Sequence, residues 1–247
     1  MSMSNPSTPA DPALPNAHQV VLFALATLAE LRESDTESHL LRVHHYVRAL
    51  CQRLKTRPAH AAVLTDEYVE LLGLCVPIYD MGTVGVPDRI LLKPGRLTAD
   101  ELAIMRTHTT LGYEAMVRAE TTLKLHSPLL AMAKDVVLCH HEKWNGAGYP
   151  KGLSGALIPL SARIVAVADV YDALISAKVY KEGVPHEKAM QIIVSERGAH
   201  FDPDVVDAFV EAQAEFAAIA QRLADTDADM QQKIEYMANA IAEVAVL

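Results

Sequence analysis

The sequence contains few cysteines and no concentration of positive charge, and these absences argue against several classes of protein. The three cysteines, Cys51, Cys75 and Cys139, form no C-x-x-C pair, which argues against a disulfide framework or a zinc knuckle and is typical of buried thiols in a reducing cytoplasm. No run of Lys and Arg occurs, and the formal net charge is -9. Because binding to a phosphate backbone requires a positive face, nucleic acid is not an expected partner.

Long apolar runs are also missing. No segment reaches the roughly 18 uninterrupted apolar residues that span a bilayer, so no membrane span is predicted and the protein is expected to be cytoplasmic. Residues 1–16 contain four prolines but no basic segment followed by an apolar stretch, so they do not resemble a signal peptide. Residues 1–17 are therefore predicted to be a flexible leader.

Glycines and aromatic residues are scarce, whereas 51% of the residues are hydrophobic, which suits one sizeable helical domain. Thr98 precedes Glu101 by three residues, a capping-box spacing that predicts a helix starting at Ala99. Asp202 and Pro203 have the residue types of an N-cap and a first helical position. Apolar residues at helical spacing predict further helices over residues 18–31, 40–54, 58–76, 111–119, 128–141, 160–176, 186–196, 203–223 and 227–246.

Strand patterns extend over no more than two or three residues, so the predicted fold class is all-α. The predicted organisation is one domain over residues 18–212 followed by a C-terminal helical extension over residues 213–247. The apolar pattern of the extension is too short to predict a coiled coil, but it is compatible with a homodimer contact.

An adjacent pair of histidines, His140 and His141, stands at the end of an apolar helix and is followed by a glycine-rich loop. Imidazole is the commonest metal ligand in proteins. Two adjacent side chains point about 100° apart on a helix, so both can meet one ion only where the helix ends. Taken alone, such a pair is more often structural, and its value depends on what accompanies it.

Four further residues accompany the pair. His39 lies on the apolar stripe of its helix, Asp80 follows a buried helix, His108 precedes the next helix, and Asp169 interrupts an apolar run. Each alone is more often a hydrogen-bonded core residue or a cap, but six together favour a metal cluster. Imidazole with carboxylate suits iron, manganese, zinc or cobalt, and spacing does not choose among them.

The run over residues 140–153, HHEKWNGAGYPKGL, resembles the signature of the HD-GYP family of metal-dependent phosphohydrolases. Similar segments of that family match residues 158–174, the loop over residues 86–98 and the motif His200-Phe201-Asp202-Pro203. The resemblance covers about residues 36–209. It implies an HD-domain-like helical bundle that degrades cyclic di-GMP by metal-assisted hydrolysis of a phosphodiester.

The resemblance also implies which residues bind metal and substrate. Asp80 would bridge two ions, one of them completed by His39 and Asp169 and the other by the remaining three histidines, with Asp35 near a third ion. One to three ions of iron or manganese, or else of zinc, are expected. The implied metal ligands are His39, Asp80, His108, His140, His141, Asp169 and Asp35. The implied substrate-binding residues are Gly148, Tyr149, Pro150, Lys178, Tyr180 and Lys181.

The chain departs from the family at its name-giving His-Asp pair, where it reads Tyr79-Asp80, and at a lysine three residues later, where it has Thr83. Tyr79 could ligate ferric iron as phenolate, which requires a strong Lewis acid, or fill the space of the imidazole and hydrogen-bond nearby. Thr83 supplies no ammonium to a phosphate, and losing one such contact typically costs about 10²- to 10³-fold in rate. With Asp80, these two residues are the predicted catalytic positions.

The sequence therefore predicts a slow or atypical cyclic di-GMP phosphodiesterase. The alternative is a catalytically inactive domain of the same fold that binds metal, nucleotide or a partner protein such as a diguanylate cyclase or a receiver domain. A structural module that dimerises through its C-terminal tail is a third interpretation.

Overall fold

The computed structural model describes residues 17–30, 32, 38–93, 95–177 and 182–244. Within these residues the regular elements are helices, and β-pairing is limited to isolated bridges between Asn145 and Ser154 and between Arg197 and Phe201. The predicted all-α class is therefore confirmed. None of the helices in this described part combines the length and the apolar character needed to cross a bilayer.

The α-helices in chain order are α1 (Ala17–Glu30), α2 (Ser38–Lys55), α3 (Pro58–Ala61), α4 (Asp66–Cys75), α5 (Asp88–Leu91), α6 (Ala99–Met105), α7 (His108–Leu123), α8 (Pro128–Cys139), α9 (Leu160–Ile175), α10 (His186–Ser195), α11 (Pro203–Arg222) and α12 (Asp227–Val244). Short 3-10 helices cover Val76–Ile78, Met81–Gly85 and Gly155–Leu157.

Two helix starts follow directly from local hydrogen bonding. The Thr98 hydroxyl accepts a hydrogen bond from the backbone N–H of Glu101 at 3.3 Å, and the Glu101 carboxylate accepts one from the N–H of Thr98 at 2.7 Å. This is the predicted capping box. Asp202 caps α11 by accepting from the N–H of Asp204 at 2.8 Å, with Pro203 in the first turn.

The single helix predicted over residues 58–76 is wrong, because the structure divides this segment into α3 and α4. Thr65 has extended backbone geometry, and its hydroxyl accepts a hydrogen bond from the N–H of Tyr68 at 3.2 Å. It therefore starts a new helix, since a side-chain cap satisfies an N–H that lacks a partner inside the helix. Between the two helices Leu64 is fully buried.

The core lies where α2 packs against α9 and α11. Tyr46 of α2 stacks on Phe216 of α11 with ring centroids 4.5 Å apart and meets Tyr171 of α9 edge-on at 5.1 Å. Phe216 and Ile219 are buried in the same core as the residues before 212. The predicted boundary after residue 212 thus falls within α11, and the first turns of the predicted extension pack as part of the main bundle.

A buried ion-pair network joins α2, α9 and the turn between α11 and α12. Arg42 donates to both carboxylate oxygens of Asp172, at 2.7 and 2.9 Å, and also to the Leu223 carbonyl and the Asp225 carboxylate. Asp172 accepts a further hydrogen bond from Nδ1 of His39 at 2.8 Å. Burial by itself would raise the pKa of Asp172, but the hydrogen bonds from His39 and Arg42 outweigh it and lower the pKa to about 2.

We expect Phe216→Ala to lower the free energy of unfolding by about 3–5 kcal/mol, because it removes a buried ring from the centre of the core. Val210→Ala, which alters a partly exposed side chain on the same helix, is the control and should cost no more than about 1 kcal/mol. Urea unfolding of both variants measures the difference. Equal losses would contradict the placement of α11 in the core.

Asp172→Asn should give a pH-dependent loss of stability. Because the pKa of Asp172 in the folded state is about 2, below its ordinary value near 3.9, its carboxylate stabilises the fold above about pH 4. That contribution disappears as the pH falls from about 4 towards 2. The difference in free energy of unfolding between the native chain and the variant should therefore be on the order of 2 kcal/mol near neutral pH and narrow below pH ~4.

The matched control is Asp66→Asn, which removes an exposed carboxylate that is paired with Lys55 at the surface. An exposed pair is screened by solvent, so its loss should have much the smaller effect on stability. A loss in Asp172→Asn that stayed constant from pH 7 to about pH 2.5 would refute the assignment of its low pKa.

Candidate metal centre

Asp80, His108, His140 and His141 meet at one end of the bundle, with one potential ligand atom from each within 4.8 Å of all the others. Asp80 lies in the turn between two 3-10 helices, His108 begins α7, and the histidine pair follows the last residue of α8. Oδ1 of Asp80 is 3.2 Å from Nε2 of His108 and 3.2 Å from Nε2 of His140. Four side chains predicted as metal ligands are thus brought together.

A glycine allows this approach. Gly82 packs against the first turn of α7, and a Cβ atom added to it would lie 1.9 Å from the carbonyl oxygen of His108. No larger residue fits there without moving the backbone. The close contact holds the turn that carries Asp80 next to His108.

The end of α8 explains how two adjacent histidines face one point. His140 is the C-cap of α8, and His141 lies in the turn that follows. Because the helix has ended, the two rings come together, with centroids 4.1 Å apart and planes inclined by 44°. The two adjacent histidines thus converge where the helix ends, as the sequence predicted.

Backbone carbonyls fix the tautomers of two of these rings. Nδ1 of His108 lies 2.8 Å from the Met105 carbonyl, and Nδ1 of His140 lies 2.9 Å from the Val136 carbonyl. A carbonyl only accepts, so both Nδ1 atoms carry hydrogen and donate. The two Nε2 atoms then face the Asp80 carboxylate, an arrangement that a shared cation, or a proton on each Nε2, would stabilise.

The electrostatics of the centre fit a cation. Burial, together with His140 nearby, lowers the pKa of His141 well below its ordinary value, so this ring stays neutral, as a metal ligand must. Burial alone would raise the pKa of Asp80, but the neighbouring His108 and His140 lower it well below the ordinary value. The donor set is three imidazoles and one carboxylate.

His39 and Asp169 lie beside this four-residue group and are linked to each other through Tyr79. The Tyr79 hydroxyl donates to Oδ1 of Asp169 at 2.6 Å and lies 2.9 Å from Nε2 of His39. Burial and the nearby Asp80 raise the pKa of Asp169. Thr83 is buried, and its hydroxyl donates to the backbone carbonyl of Asp80 at 2.8 Å, so it points back at its own turn.

The loop after the histidine pair folds over the centre. The Glu142 carboxylate accepts hydrogen bonds from the backbone N–H groups of Lys151 and Leu153 at 2.7 and 2.9 Å. The loop fits closely at Gly148, where a Cβ would lie 2.3 Å from a backbone nitrogen. The predicted substrate-binding residues Gly148, Tyr149 and Pro150 thus lie on a loop whose backbone is held in place by the Glu142 carboxylate.

Tyr149 covers the centre itself. Its ring stacks on His141, with centroids 4.9 Å apart and planes inclined by 29°, and the exposed Arg106 guanidinium lies 4.9 Å above the centroid of the Tyr149 ring. Four predicted site residues, Asp35, Lys178, Tyr180 and Lys181, lie outside the described residues.

Three features of the site were not predicted. Asp172 accepts a hydrogen bond from His39 and is itself held by Arg42. Each of the two lies three residues from a predicted ligand, so a charged residue one helical turn from that ligand was the signal available. Glu142 directly follows the histidine pair. Arg106 stands two residues before His108, and nothing in its local sequence marks it.

Known proteins are similar to this chain in sequence and in fold. A family model described as HD domain matches residues 24–205. A probable cyclic di-GMP phosphodiesterase of Vibrio cholerae is 49% identical over 217 residues, which make up 88% of this chain and 49% of that protein. A cyclic di-GMP phosphodiesterase of Thermotoga maritima is 39% identical over 207 residues, 84% of this chain and 52% of that protein. The chain spans about half the length of these relatives.

A solved structure, a cyclic GMP-AMP specific phosphodiesterase of V. cholerae, shares the fold with a TM-score of 0.53 and 17% identity. The alignment covers 92% of this chain and 59% of that one. The helical bundle expected from the motifs is therefore confirmed. By its sequence, the chain belongs to the HD domain family, in the HD-GYP group that its motifs resemble.

Proposed function

We propose that the chain is a metal-dependent phosphodiesterase that hydrolyses cyclic di-GMP, with a metal ion held by Asp80, His108, His140 and His141. The observation that carries this proposal is the convergence of three imidazoles and one carboxylate on a point beneath the loop of residues 142–153. Relatives with 49% and 39% identity are described as acting on cyclic di-GMP, one of them as a probable enzyme, which supports the substrate.

The donor set supports a borderline divalent ion. Imidazole with carboxylate suits iron, manganese or zinc, and we propose iron or manganese. When bound, such an ion supplies positive charge at the phosphoryl group and lowers the pKa of a water molecule. The carbonyls of Met105 and Val136 orient the rings of His108 and His140. Metal-ligating histidines are usually oriented by such a hydrogen bond from the other ring nitrogen.

Arg106 supports binding of an anion next to this centre. Its exposed guanidinium lies over Tyr149, which in turn stacks on His141. A positive charge therefore lies next to the metal centre in a protein that is acidic as a whole. We propose that Arg106 binds a phosphate oxygen of the dinucleotide, since guanidinium groups form strong charge-assisted hydrogen bonds to phosphate. It would compensate in part for the ammonium that Thr83 does not provide.

The second candidate is a domain that binds metal and nucleotide without turning the nucleotide over. Thr83 favours it, because its hydroxyl is directed to the Asp80 carbonyl and offers no charge to a phosphate. A cytoplasmic location, homodimerisation and a signalling partner such as a diguanylate cyclase or receiver domain remain predictions from the sequence. The free, buried cysteines suit a reducing compartment.

His141→Gln tests the metal ligand set. Replacing this ligand should weaken metal binding by at least about 10- to 100-fold, the loss typical of residues that merely support a ligand, and should abolish hydrolysis of cyclic di-GMP. Mass spectrometry of bound metal and chromatography of the products measure the two effects. Unchanged metal content and rate in the variant would contradict the proposal.

His126→Gln is the matched control, because His126 is an exposed histidine that pairs with a carboxylate at the surface. It should retain both metal and activity. A native chain that binds metal and cyclic di-GMP but releases no product would instead support the non-catalytic candidate.

Arg106→Gln should raise KM for cyclic di-GMP by about 10-fold or more and leave kcat nearly unchanged, since the lost charge-assisted hydrogen bond serves ground state and transition state alike. Steady-state kinetics measure the two constants separately. Arg118→Gln, an exposed arginine further along α7, is the control and should leave both constants unchanged. Equal effects of the two substitutions would show that Arg106 acts only through net charge.

A further inference from the structure

The Tyr79 hydroxyl stands between two side chains that the HD-GYP resemblance assigns to a second metal ion. We infer that this chain holds one ion, at Asp80, His108, His140 and His141, and that the Tyr79 hydroxyl closes the position between His39 and Asp169 to a cation. The inference rests on the proposed function, because it takes the four-residue centre as a metal site. It concerns how many ions are bound and which residue sets that number.

The Tyr79 oxygen lies within hydrogen-bond distance of both His39 and Asp169. The Tyr79 oxygen lies 2.9 Å from Nε2 of His39 and 2.6 Å from Oδ1 of Asp169, both normal hydrogen-bond distances. Metal ligands of these kinds lie about 2.0–2.2 Å from the ion they share. The hydroxyl therefore competes for the ligand atoms that an ion would need, unless it loses its proton and becomes a ligand itself.

The hydrogen bond to Asp169 defines the role of the hydroxyl. The Tyr79 hydroxyl donates to Oδ1 of Asp169 at 2.6 Å, and this contact engages a carboxylate oxygen that an ion between the two side chains would need. Ligation of iron by a phenolate, in place of this hydrogen bond, is the alternative that the absorption measurement below tests.

His39 is not able to turn away from Tyr79. Its Nδ1 donates to Asp172 at 2.8 Å, and Asp172 is held in turn by both arms of the buried Arg42 guanidinium. Nε2 of His39 is thereby directed at the Tyr79 oxygen. The Tyr79 ring is 1% exposed and packs edge-on against His140, with centroids 5.1 Å apart, so it is fixed as well.

The result is a continuous chain of hydrogen bonds from Asp172 through His39 and Tyr79 to Asp169. Nε2 of His39 and Oδ1 of Asp169, the two ligand atoms that an ion between these side chains would need, are thus both engaged by the Tyr79 oxygen.

The experiment compares the native chain with Tyr79→Phe and Tyr79→His after anaerobic reconstitution with ferrous iron. Bound iron per chain is measured by mass spectrometry after removal of excess metal. We expect one ion in the native chain and one in Tyr79→Phe, where the ring still fills the space. Tyr79→His presents a ring nitrogen in place of the hydroxyl and should bind a second ion.

Visible absorption after oxidation to ferric iron gives an independent readout, since a tyrosinate bound to ferric iron has a charge-transfer band in the visible. We expect no such band in the native chain. Two ions in the native chain, a band that disappears in Tyr79→Phe, or a single ion in Tyr79→His would each overturn the inference while leaving the proposed function standing. Absence of iron from all three proteins, and of manganese and zinc in parallel reconstitutions, would overturn the proposed function and the inference together.

Discussion

The contact between the Asp80 carboxylate and two histidine rings is the constraint around which this end of the bundle is organised. An ionised carboxylate 3.2 Å from Nε2 of His108 and of His140 is costly in a partly buried place unless positive charge accompanies it. The contact requires that the turn carrying Asp80, the start of α7 and the end of α8 keep fixed positions relative to one another. The close packing at Gly82, the carbonyls that fix the two rings, and the end of α8 at the histidine pair all serve this one arrangement.

The centre has two halves of different character. On the side of the histidine pair, three imidazole rings and a carboxylate with a depressed pKa form a set of donors that suits a cation. On the side of His39, a tyrosine hydroxyl links an imidazole to a carboxylate whose pKa is raised by burial. Replacing the histidine of the name-giving pair by Tyr79 therefore does more than remove one ligand. It converts a potential ligand position into a hydrogen-bonded one.

The support behind His39 reaches the far end of the chain. Arg42 links Asp172, which orients His39, to Asp225 in the turn between α11 and α12, and Lys233 of α12 donates to the Glu30 carbonyl of α1. Residues after 212 are thus connected through a buried guanidinium to Asp172, which orients His39. If the segment after residue 212 did not pack on the bundle, the Arg42 guanidinium would lack its second carboxylate partner, Asp225.

The sequence by itself determined the features that depend on neighbours along the chain. The capping box at Thr98, the start of α11 at Pro203 and the end of the helix at the histidine pair follow from hydrogen bonds between residues a few positions apart. The motif over residues 140–153 pointed to the family, because so long a run of specific residues rarely occurs by chance. The break before α4 was missed because apolar periodicity continued across Thr65.

Only the tertiary structure decided what Tyr79 does and which residues hold His39. Tyr79 meets His39 across 40 positions of sequence and Asp169 across 90, and His39 meets Asp172 across 133. The residues alone allowed Tyr79 to be a phenolate ligand or a hydrogen-bonding filler, and no local pattern chose between them. The hydrogen bonds of Tyr79 depend on how close its oxygen lies to the Asp169 carboxylate and where the His39 ring is directed, and helix packing, rather than any chain segment, fixes those distances.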